Sequence, residues 1–281
     1  MARARILLNG KPVWADVDGN DLFVGSHRIP FAEAQFLPPV EVPSKIIAIH
    51  LNYRSRVEEY GARLPDAPSY FLKPLNSLSA HGAPVVRPKG CRFLNFEGEI
   101  ALVIGRHCRG VKIAEAESAI GGVTIANDWA LHDFRHSDRG SMLRVKGLDG
   151  YCPLGPVIVK PDEIDWDELT LTTYRNGQIV QQARVLDDLL FPFPYLIADL
   201  SRLITLEPGD VILTGTPANS RPVEPGDVVE VEVRGIGRLR NTVVEGEVDF
   251  AVAGIQPRVS WETLHVALAM PEDEAKRQVQ D

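Results

Sequence analysis

An apolar segment near the middle of the chain, NFEGEIALVIG at residues 95–105, contains two glutamates, Glu97 and Glu99. Alternate side chains of a β-strand point to opposite faces, so both acids would share one face with Ala101 and Val103. Two such carboxylates repel each other, and burying them in ionised form is costly unless a cation lies between them. The segment is therefore a candidate cation site, with an edge strand whose acids face solvent as the alternative.

A third carboxylate could complete such a site. Asp128 stands where the apolar strand-like segment GVTIANDWA gives way to polar residues. Three carboxylates from two strand ends form a hard-oxygen ligand set, which suits Mg²⁺, Mn²⁺ or Ca²⁺ rather than zinc. Spacing alone leaves both the metal site and the solvated acids open.

Three further motifs carry groups that could take part in chemistry. His132 and His136 in HDFRH are four residues apart and could share a helix face, although a surface or hydrogen-bonded pair is the more common explanation. Lys146 in RVKGLDGY could meet a carboxylate or an enolate, or could be a solvated lysine. Thr216 in LTGTPANSRP lies in a turn that could bind an anion or could be a bare turn.

The composition limits the class of protein. With 281 residues, 44% hydrophobic and 24% charged, the chain is expected to form a globular protein. No apolar run approaches the ~20 residues that span a bilayer, and the start of the chain predicts no signal peptide, so no membrane partner is expected. The three cysteines form no CxxC pair, which favours a reducing cytoplasm. The net charge of −8 argues against nucleic acid but leaves room for a small anionic substrate.

The pattern of apolar runs predicts many short strands and few helices. Residues 1–43 alternate short β-like runs with turns and end in a proline-rich stretch, which predicts a small N-terminal β module and a linker. The segment RSRVEEYGARLPDAPS at 54–69 predicts a short helix followed by a mobile lid loop. The pair Asn176-Gly177 predicts a hairpin turn.

One helix is clearly amphipathic: PYLIADLSRLITL places on one face Leu196, Ile197, Leu200, Leu203 and Ile204. The tetrad EPGD occurs twice, and proline and glycine at its centre indicate two similar turns. Residues 256–281 form a C-terminal extension with a charged tail that is expected to fray. Without βαβ alternation, the predicted fold class is α+β and predominantly β.

The order of these segments resembles the fumarylacetoacetate hydrolase superfamily. The similarity covers about residues 45–248 and rests on KIIAIHLNYRSRVEE, FLKP, NFEGEIALVIG, GVTIANDWALHDFR, KGLDGYCPLGP and LTGTPANSRPVEPGDVVEVEVRGIGRLRNTV. It is strongest to the branch of 2-hydroxyhepta-2,4-diene-1,7-dioate isomerases and 5-carboxymethyl-2-hydroxymuconate isomerase-decarboxylases. The resemblance implies a mixed β-sandwich roll, a homodimer and a catalytic domain at 44–255.

The resemblance also implies roles for individual residues. Glu97, Glu99 and Asp128 match the family's divalent metal ligands, with Mg²⁺ or Mn²⁺ as the cofactor. A 2-oxo acid substrate would bind there and react through an enolate. The other matches are Lys146 near the enolate, Lys73 at the pocket, Thr216 on the substrate carboxylate, and Tyr53 and Glu59 on the lid segment.

One departure from the family pattern bears on the reaction. Hydrolases and decarboxylases of the family commonly carry a lid histidine three residues before the lid glutamate, where this chain has Arg56. Arginine stays protonated and cannot be the base that activates water. Arg56, together with Arg221, would instead bind a second substrate carboxylate, while Glu59 moves the proton. This favours isomerisation or decarboxylation of an unsaturated 2-oxo dicarboxylate of aromatic catabolism.

Three alternatives to that reaction stay open. One is C–C hydrolysis of acylpyruvates, which would need a water-activating base. Another is decarboxylation of oxaloacetate. The third is a non-catalytic binding protein, which loss of the three acids would favour, and they are intact.

Overall fold

A seven-stranded mixed sheet forms the centre of the fold. The computed structural model describes residues 2–138, 140–247 and 253–280. In order across this sheet the strands are β7 (Ser69–Lys73), β6 (Ile46–His50), β18 (Val211–Leu213), β11 (Gly98–Ile104), β12 (Ile120–Asn127), β14 (Cys152–Leu154) and β8 (Leu78–Ala80). β11 pairs antiparallel with both β12 and β18, so it is a central strand.

Every residue of β11 is buried, and its two faces contact different parts of the core. Ile100 and Leu102 belong to the large cluster shared with the second main sheet, whereas Ala101 and Val103 pack in a separate cluster. Glu99 continues the Ala101 face, as the strand period predicts. The alternative of acids on a solvent-facing edge strand is therefore wrong.

A five-stranded sheet packs against the central one. In order, its strands are β17 (Gln178–Arg184), β16 (Thr170–Arg175), β19 (Val228–Val233), β20 (Gly237–Gly246) and β9 (Pro84–Pro88). The predicted hairpin joins β16 and β17, and its turn residues Asn176 and Gly177 have φ values of 51° and 79°. Positive φ at both central positions is the feature of a primed turn, so that prediction is confirmed.

The N-terminal residues form a third sheet that is joined to the rest of the fold. Its strands are β1 (Arg3–Leu8), β2 (Lys11–Asp18), β3 (Asp21–Val24), β4 (His27–Pro30), β5 (Gln35–Leu37) and β15 (Val157–Ile158). β1 pairs with β15, and Ala4 and Ile6 are buried in the same cluster as Leu102. The division into 1–43, 44–255 and 256–281 stays a prediction, and residues 248–252 of its middle unit lie outside the described residues.

Short strands and helices complete the described part of the chain. β10 (Leu94–Asn95) pairs with β13 (Ala130–Leu131). The α-helices are α1 (Arg54–Glu59), α2 (Ile113–Ala116), α3 (Arg135–Asp138), α4 (Leu143–Lys146), α5 (Val185–Asp188), α6 (Phe193–Leu203), α7 (Trp261–Leu268) and α8 (Glu272–Gln280). The predicted α+β, predominantly β class with curled mixed sheets is confirmed. None of the helices in the described ranges has the length and apolarity to cross a bilayer.

Two predictions about helices need correction. α6 buries Leu196, Ile197 and Leu200 as expected, but Leu203 is 66% and Ile204 38% exposed, because the helix ends at Leu203 and the helical periodicity ends with it. The C-terminal tail is not frayed over 272–280, where it forms α8. Ala275 of α8 packs with residues of α7 and with Phe93, and this tertiary contact outweighs the polar sequence.

The two EPGD turns are closed in the same way by their aspartates. Asp210 accepts a hydrogen bond from the Glu207 N–H at 2.8 Å, and Asp227 accepts one from the Glu224 N–H at 2.8 Å. Asp210 also accepts from the N–H groups of Ser44 and Lys45, both at 3.0 Å. Asp210 therefore ties the start of β6 to β18 through two backbone N–H groups, whereas Asp227 contacts the β16–β17 hairpin through the side chains of Asn176 at 2.7 Å and Arg175 at 2.6 Å.

This difference predicts unequal costs for the two aspartates. Asp210→Ala should lower the free energy of unfolding by roughly 2–4 kcal/mol, because three backbone N–H groups and the ammonium group of Lys45 lose their acceptor. Asp227→Ala should cost less, about 1–2 kcal/mol, because only one backbone N–H loses its acceptor, and the side chains of Asn176 and Arg175 can turn to solvent. Urea unfolding of both variants measures this, and a larger loss for Asp227→Ala would contradict it.

The hydrogen bonds to Asp210 also predict how the free energy of unfolding changes with pH. Burial alone would raise the pKa of Asp210, but hydrogen bonds from Glu207, Lys45 and Ser44 lower it below 3.8. A lowered folded-state pKa gives stability that is present above the unfolded value and lost as pH falls through the folded value. In acid, the gap in stability between wild type and Asp210→Ala should therefore shrink.

Candidate active site

A cavity of about 260 Å³ lies at the end of the central sheet, where β11 begins and β12 ends. Six of the ten residues to which the family resemblance gives a role line it: Arg56, Glu97, Glu99, Asp128, Lys146 and Thr216. Four others, Tyr53, Glu59, Lys73 and Arg221, do not line it. Some of the predicted residues therefore line the cavity, and the others lie outside its lining.

Strand pairing brings the three carboxylates together. Gly98 of β11 is paired with Asn127 of β12, so Glu97, Glu99 and Asp128 flank one pair of residues. One carboxylate oxygen from each acid lies within 4.8 Å of the other two. The Glu97 N–H donates to Asn127 Oδ1 at 2.7 Å, and the Asp128 N–H donates to the Glu97 carbonyl at 2.8 Å. The backbone therefore holds the acids near one another against their repulsion.

Two buried lysines compensate two of the acids. Lys146 Nζ lies 2.5 Å from Glu97 Oε2 and 2.6 Å from Asp128 Oδ2, and Lys73 Nζ lies 2.5 Å from Asp128 Oδ1. Lys146 is only 4% exposed, so it is not the solvated lysine of the alternative interpretation. Burial alone would lower the pKa of Lys146, but Asp128, Glu97 and Glu99 raise it, so this side chain stays an ammonium group.

Glu99 lacks such compensation. Its Oε2 accepts the Gly215 N–H at 2.7 Å, and no basic side chain of the described residues lies within ion-pair distance of it. Burial and then the charge of Asp128 raise the pKa of Glu99 well above its ordinary value. Three clustered hard-oxygen donors with one uncompensated buried carboxylate fit a divalent cation such as Mg²⁺ or Mn²⁺.

The TGTP turn is a built part of the cavity rather than a bare turn. Gly215 has φ +95°, a conformation that places its N–H on Glu99. Thr216 Oγ1 accepts a hydrogen bond from Gln181 Nε2 at 3.0 Å. Because that bond uses an oxygen lone pair, the hydroxyl proton of Thr216 is available to an acceptor in the cavity.

Arg56 lines the cavity from α1, the helix that begins the predicted lid segment. Its Nη1 donates to Glu59 Oε2 at 2.7 Å, and its guanidinium lies 4.4 Å from the ring centroid of Tyr60. Nη2 is 3.7 Å from Glu97 Oε1, and it is buried without a hydrogen-bond acceptor in the described structure. Arg56 therefore presents one unused donor to the cavity.

Glu59 and Tyr53 occupy positions next to the cavity. Glu59 Oε1 pairs with Arg221 Nη2 at 2.7 Å, and its carboxylate also accepts the Asn219 N–H. Tyr53 directly precedes α1 and is fully buried, and burial raises the pKa of its phenol. Arg221 thus holds Glu59 and does not itself line the cavity.

Three basic cavity residues were missed from the sequence, namely His50, Arg135 and His265, while His132 was considered only as one of a histidine pair. His132 is 1% exposed, and neither ring nitrogen has a hydrogen-bond partner among the described residues, so the expected surface or hydrogen-bonded pair with His136 is wrong. The available sign that Arg135 lies at the cavity was its proximity to Asp128 in the chain. His265 had none, because α7 reaches the cavity only through tertiary packing.

The family model for the C-terminal domain of fumarylacetoacetate hydrolase matches residues 45–244. The chain belongs to this family. The matched residues include all three carboxylates, both buried lysines and the TGTP turn, whereas α7, with His265, lies beyond the match.

Three relatives illustrate the range of this family. The 4-hydroxyphenylacetate degradation bifunctional isomerase/decarboxylase of Salmonella dublin is 37% identical over 244 residues, covering 86% of this chain but 55% of its own. The structure of 5-carboxymethyl-2-hydroxymuconate delta-isomerase from Mycobacterium smegmatis has 37% identity and a TM-score of 0.79, covering 88% of this chain and 100% of that one. Maleylpyruvate hydrolase from Sphingobium sp. SYK-6, solved with manganese(II) and pyruvate, has 29% identity and a TM-score of 0.74 over the same shares.

The conformation of Gly215 leads to a prediction about the stability of the site. A Cβ at Gly215 would lie 2.9 Å from Asn52 Cβ, whereas a Cβ at Gly177, which also has positive φ, would meet nothing within 4 Å. Gly177→Ala should cost about 1 kcal/mol of unfolding free energy through backbone strain alone. Gly215→Ala should cost clearly more, because it adds a collision. Equal losses in urea unfolding would contradict the close contact.

Proposed function

We propose that this protein is a divalent-metal-dependent isomerase or decarboxylase that acts on an unsaturated 2-oxo dicarboxylate of the 2-hydroxymuconate type in aromatic catabolism. The observation that carries the proposal is the cluster of Glu97, Glu99 and Asp128 on the wall of a cavity that also presents cationic groups. Relatives named for isomerisation and decarboxylation in such catabolism support the reaction class. The chain spans about half of the bifunctional relative, so the assignment of both activities is part of the proposal.

The three carboxylates would hold Mg²⁺ or Mn²⁺. The ion, when bound, supplies Lewis-acid polarisation of the 2-oxo acid group of the substrate. Support comes from the lack of a basic ion-pair partner for Glu99 among the described residues and from the manganese(II) and pyruvate in the maleylpyruvate hydrolase structure. Lys73 would act indirectly, since its ammonium group holds Asp128 at 2.5 Å.

Residues of this chain would bind the head of the substrate and stabilise charge there. Thr216 would donate its hydroxyl proton to the substrate carboxylate, because Gln181 already occupies one of its lone pairs. Lys146 would add a permanent positive charge beside the oxygen on which negative charge develops, since its raised pKa keeps it protonated. Neither role requires water.

The lid would supply proton transfer and tail binding. Glu59 would deliver or remove the proton at the substrate carbon, exchanging its contact with Arg221 for the substrate. Arg56 would direct its unused Nη2 to the second carboxylate of the substrate. Tyr53, packed at the start of α1, would contribute to substrate binding by fixing where the lid begins.

Hydrolysis of a C–C bond is a second candidate, and one observation favours it. Arg56 cannot activate water, but His132 lines the cavity with both nitrogens unused, and burial and nearby cations lower its pKa and keep it neutral. A neutral imidazole can accept a proton from water. The similarity to a maleylpyruvate hydrolase is consistent with that reaction.

The metal site predicts a loss of cation affinity. Glu99→Gln should weaken binding of Mg²⁺ and Mn²⁺ by roughly tenfold or more, because a ligand charge is removed while the fold keeps a similar side chain. Isothermal titration of each cation into the purified protein measures this. Glu245→Gln, an exposed change on β20, is the control and should bind like wild type. Equal affinities of Glu99→Gln and wild type would sink the metal assignment.

The reaction class predicts a substrate preference. Wild type should ketonise or decarboxylate a 2-hydroxymuconate-type dicarboxylate far faster than it cleaves acetylpyruvate, because no lid base activates water. Arg56→Ala should mainly raise KM for the dicarboxylate if Arg56 contributes uniform binding. Ultraviolet absorbance of the dienol follows the first reaction. Efficient acetylpyruvate hydrolysis by wild type, undiminished in Glu59→Gln, would favour the hydrolase instead.

A further inference from the structure

Three hydrogen-bond donors on the cavity wall lack a strong acceptor among the described residues. They are Nη2 of Arg56, the ring of His132 and the guanidinium of Arg135. We propose that His132 and Arg135, together with Arg56, form the subsite that binds the second carboxylate of the substrate. This inference rests on the proposed function and deepens it, because it adds two residues outside α1, His132 and Arg135, to the recognition of the substrate tail.

His132 is fixed in place by its backbone, not by its ring. Its N–H donates to the Phe93 carbonyl at 2.8 Å, and its own carbonyl accepts from Thr263 Oγ1 of α7 at 2.9 Å. The ring is nonetheless buried with two unpaired nitrogens, which is costly in a folded protein. Since the ring lines the cavity, an acceptor on a bound ligand would satisfy its N–H and remove that part of the cost.

Arg135 is the cavity arginine whose charge is least satisfied. Its Nη1 lies 2.8 Å from Met142 Sδ, and a thioether is a weak acceptor. By contrast, Arg56 pairs with Glu59 at 2.7 Å, and Arg221 pairs with Glu59 while lying off the cavity wall. No carboxylate of the described ranges lies within ion-pair distance of Arg135, so it is available to a substrate carboxylate.

The surrounding charge has the sign that an anion requires. After burial, the charges that lower the pKa of His132 are those of Arg135, Lys146 and Arg56. At Glu99, in contrast, burial and the charges of Asp128 and Glu97 raise the pKa of the carboxyl group. One cavity thus offers acidic groups suited to a cation and its chelating 2-oxo acid, and basic groups suited to a separate carboxylate. A 2-oxo dicarboxylate would use both the acidic and the basic groups, whereas a 2-oxo acid with an apolar tail would use only the acidic ones.

A matched pair of ligands tests this subsite without turnover. 2-Oxoadipate and 2-oxohexanoate share the head group and chain length and differ in the distal carboxylate. Calorimetric titration with Mg²⁺ present should show that wild type binds 2-oxoadipate more tightly by roughly tenfold or more. Arg135→Gln should lose most of this preference while its affinity for 2-oxohexanoate stays unchanged, and His132→Leu should reduce the preference in the same direction.

The controls separate this inference from the proposed function. Arg202→Gln, an exposed change on α6, should keep the wild-type preference, and Mg²⁺ affinity and thermal unfolding of Arg135→Gln should match wild type. The subsite alone would be overturned if Arg135→Gln kept the full preference for 2-oxoadipate. It would also be overturned if wild type bound both acids equally well. Failure of wild type to bind either acid would overturn the proposed function as well.

Discussion

Mutual repulsion among three buried carboxylates is the constraint that the rest of the site satisfies. Antiparallel pairing of β11 with β12 brings Glu97, Glu99 and Asp128 together, although electrostatics opposes it. Lys146 and Lys73 offset part of the charge, and each ammonium group is itself buried. Such a network is stable only while every member is present, because a single deletion leaves an uncompensated buried charge. The surplus acid, Glu99, is what makes the network suited to a divalent ion.

Features set by local geometry could be predicted from the sequence, and features set by distant packing could not. The shared face of Glu99, Ala101 and Val103 follows from the strand period, and the primed turn follows from Asn-Gly chemistry. The orientation of His132 depends instead on Thr263, 131 residues away along the chain. The ordered α8 likewise depends on tertiary contacts that its polar sequence does not reveal.

Arg56 determines how α1, the start of the predicted lid segment, is held. α1 has six residues, too few for a helix to be stable on its own, so its position depends on contacts with the rest of the fold. Arg56 lies between Glu59 and the Tyr60 ring, while Glu59 is bound to Arg221 beyond the TGTP turn. An arginine here therefore forms an ion pair with Glu59, which in turn pairs with Arg221, whereas a neutral histidine would form no such ion pair.

The distribution of charge in the cavity reconciles an acidic protein with the anionic substrate that we propose. The chain carries a net charge of −8, which taken alone would repel a dicarboxylate. Inside the cavity, however, Arg56, Arg135 and Lys146 act at short range and in a region of low dielectric, where their field exceeds that of screened surface charges. Lys146 is already neutralised by Glu97 and Asp128, so the net attraction at the far wall comes mainly from the two arginines. Because Arg56 is paired with Glu59, whereas Arg135 has no carboxylate partner in the part of the chain that the structure describes, Arg135 is the basic group best placed to meet a substrate tail.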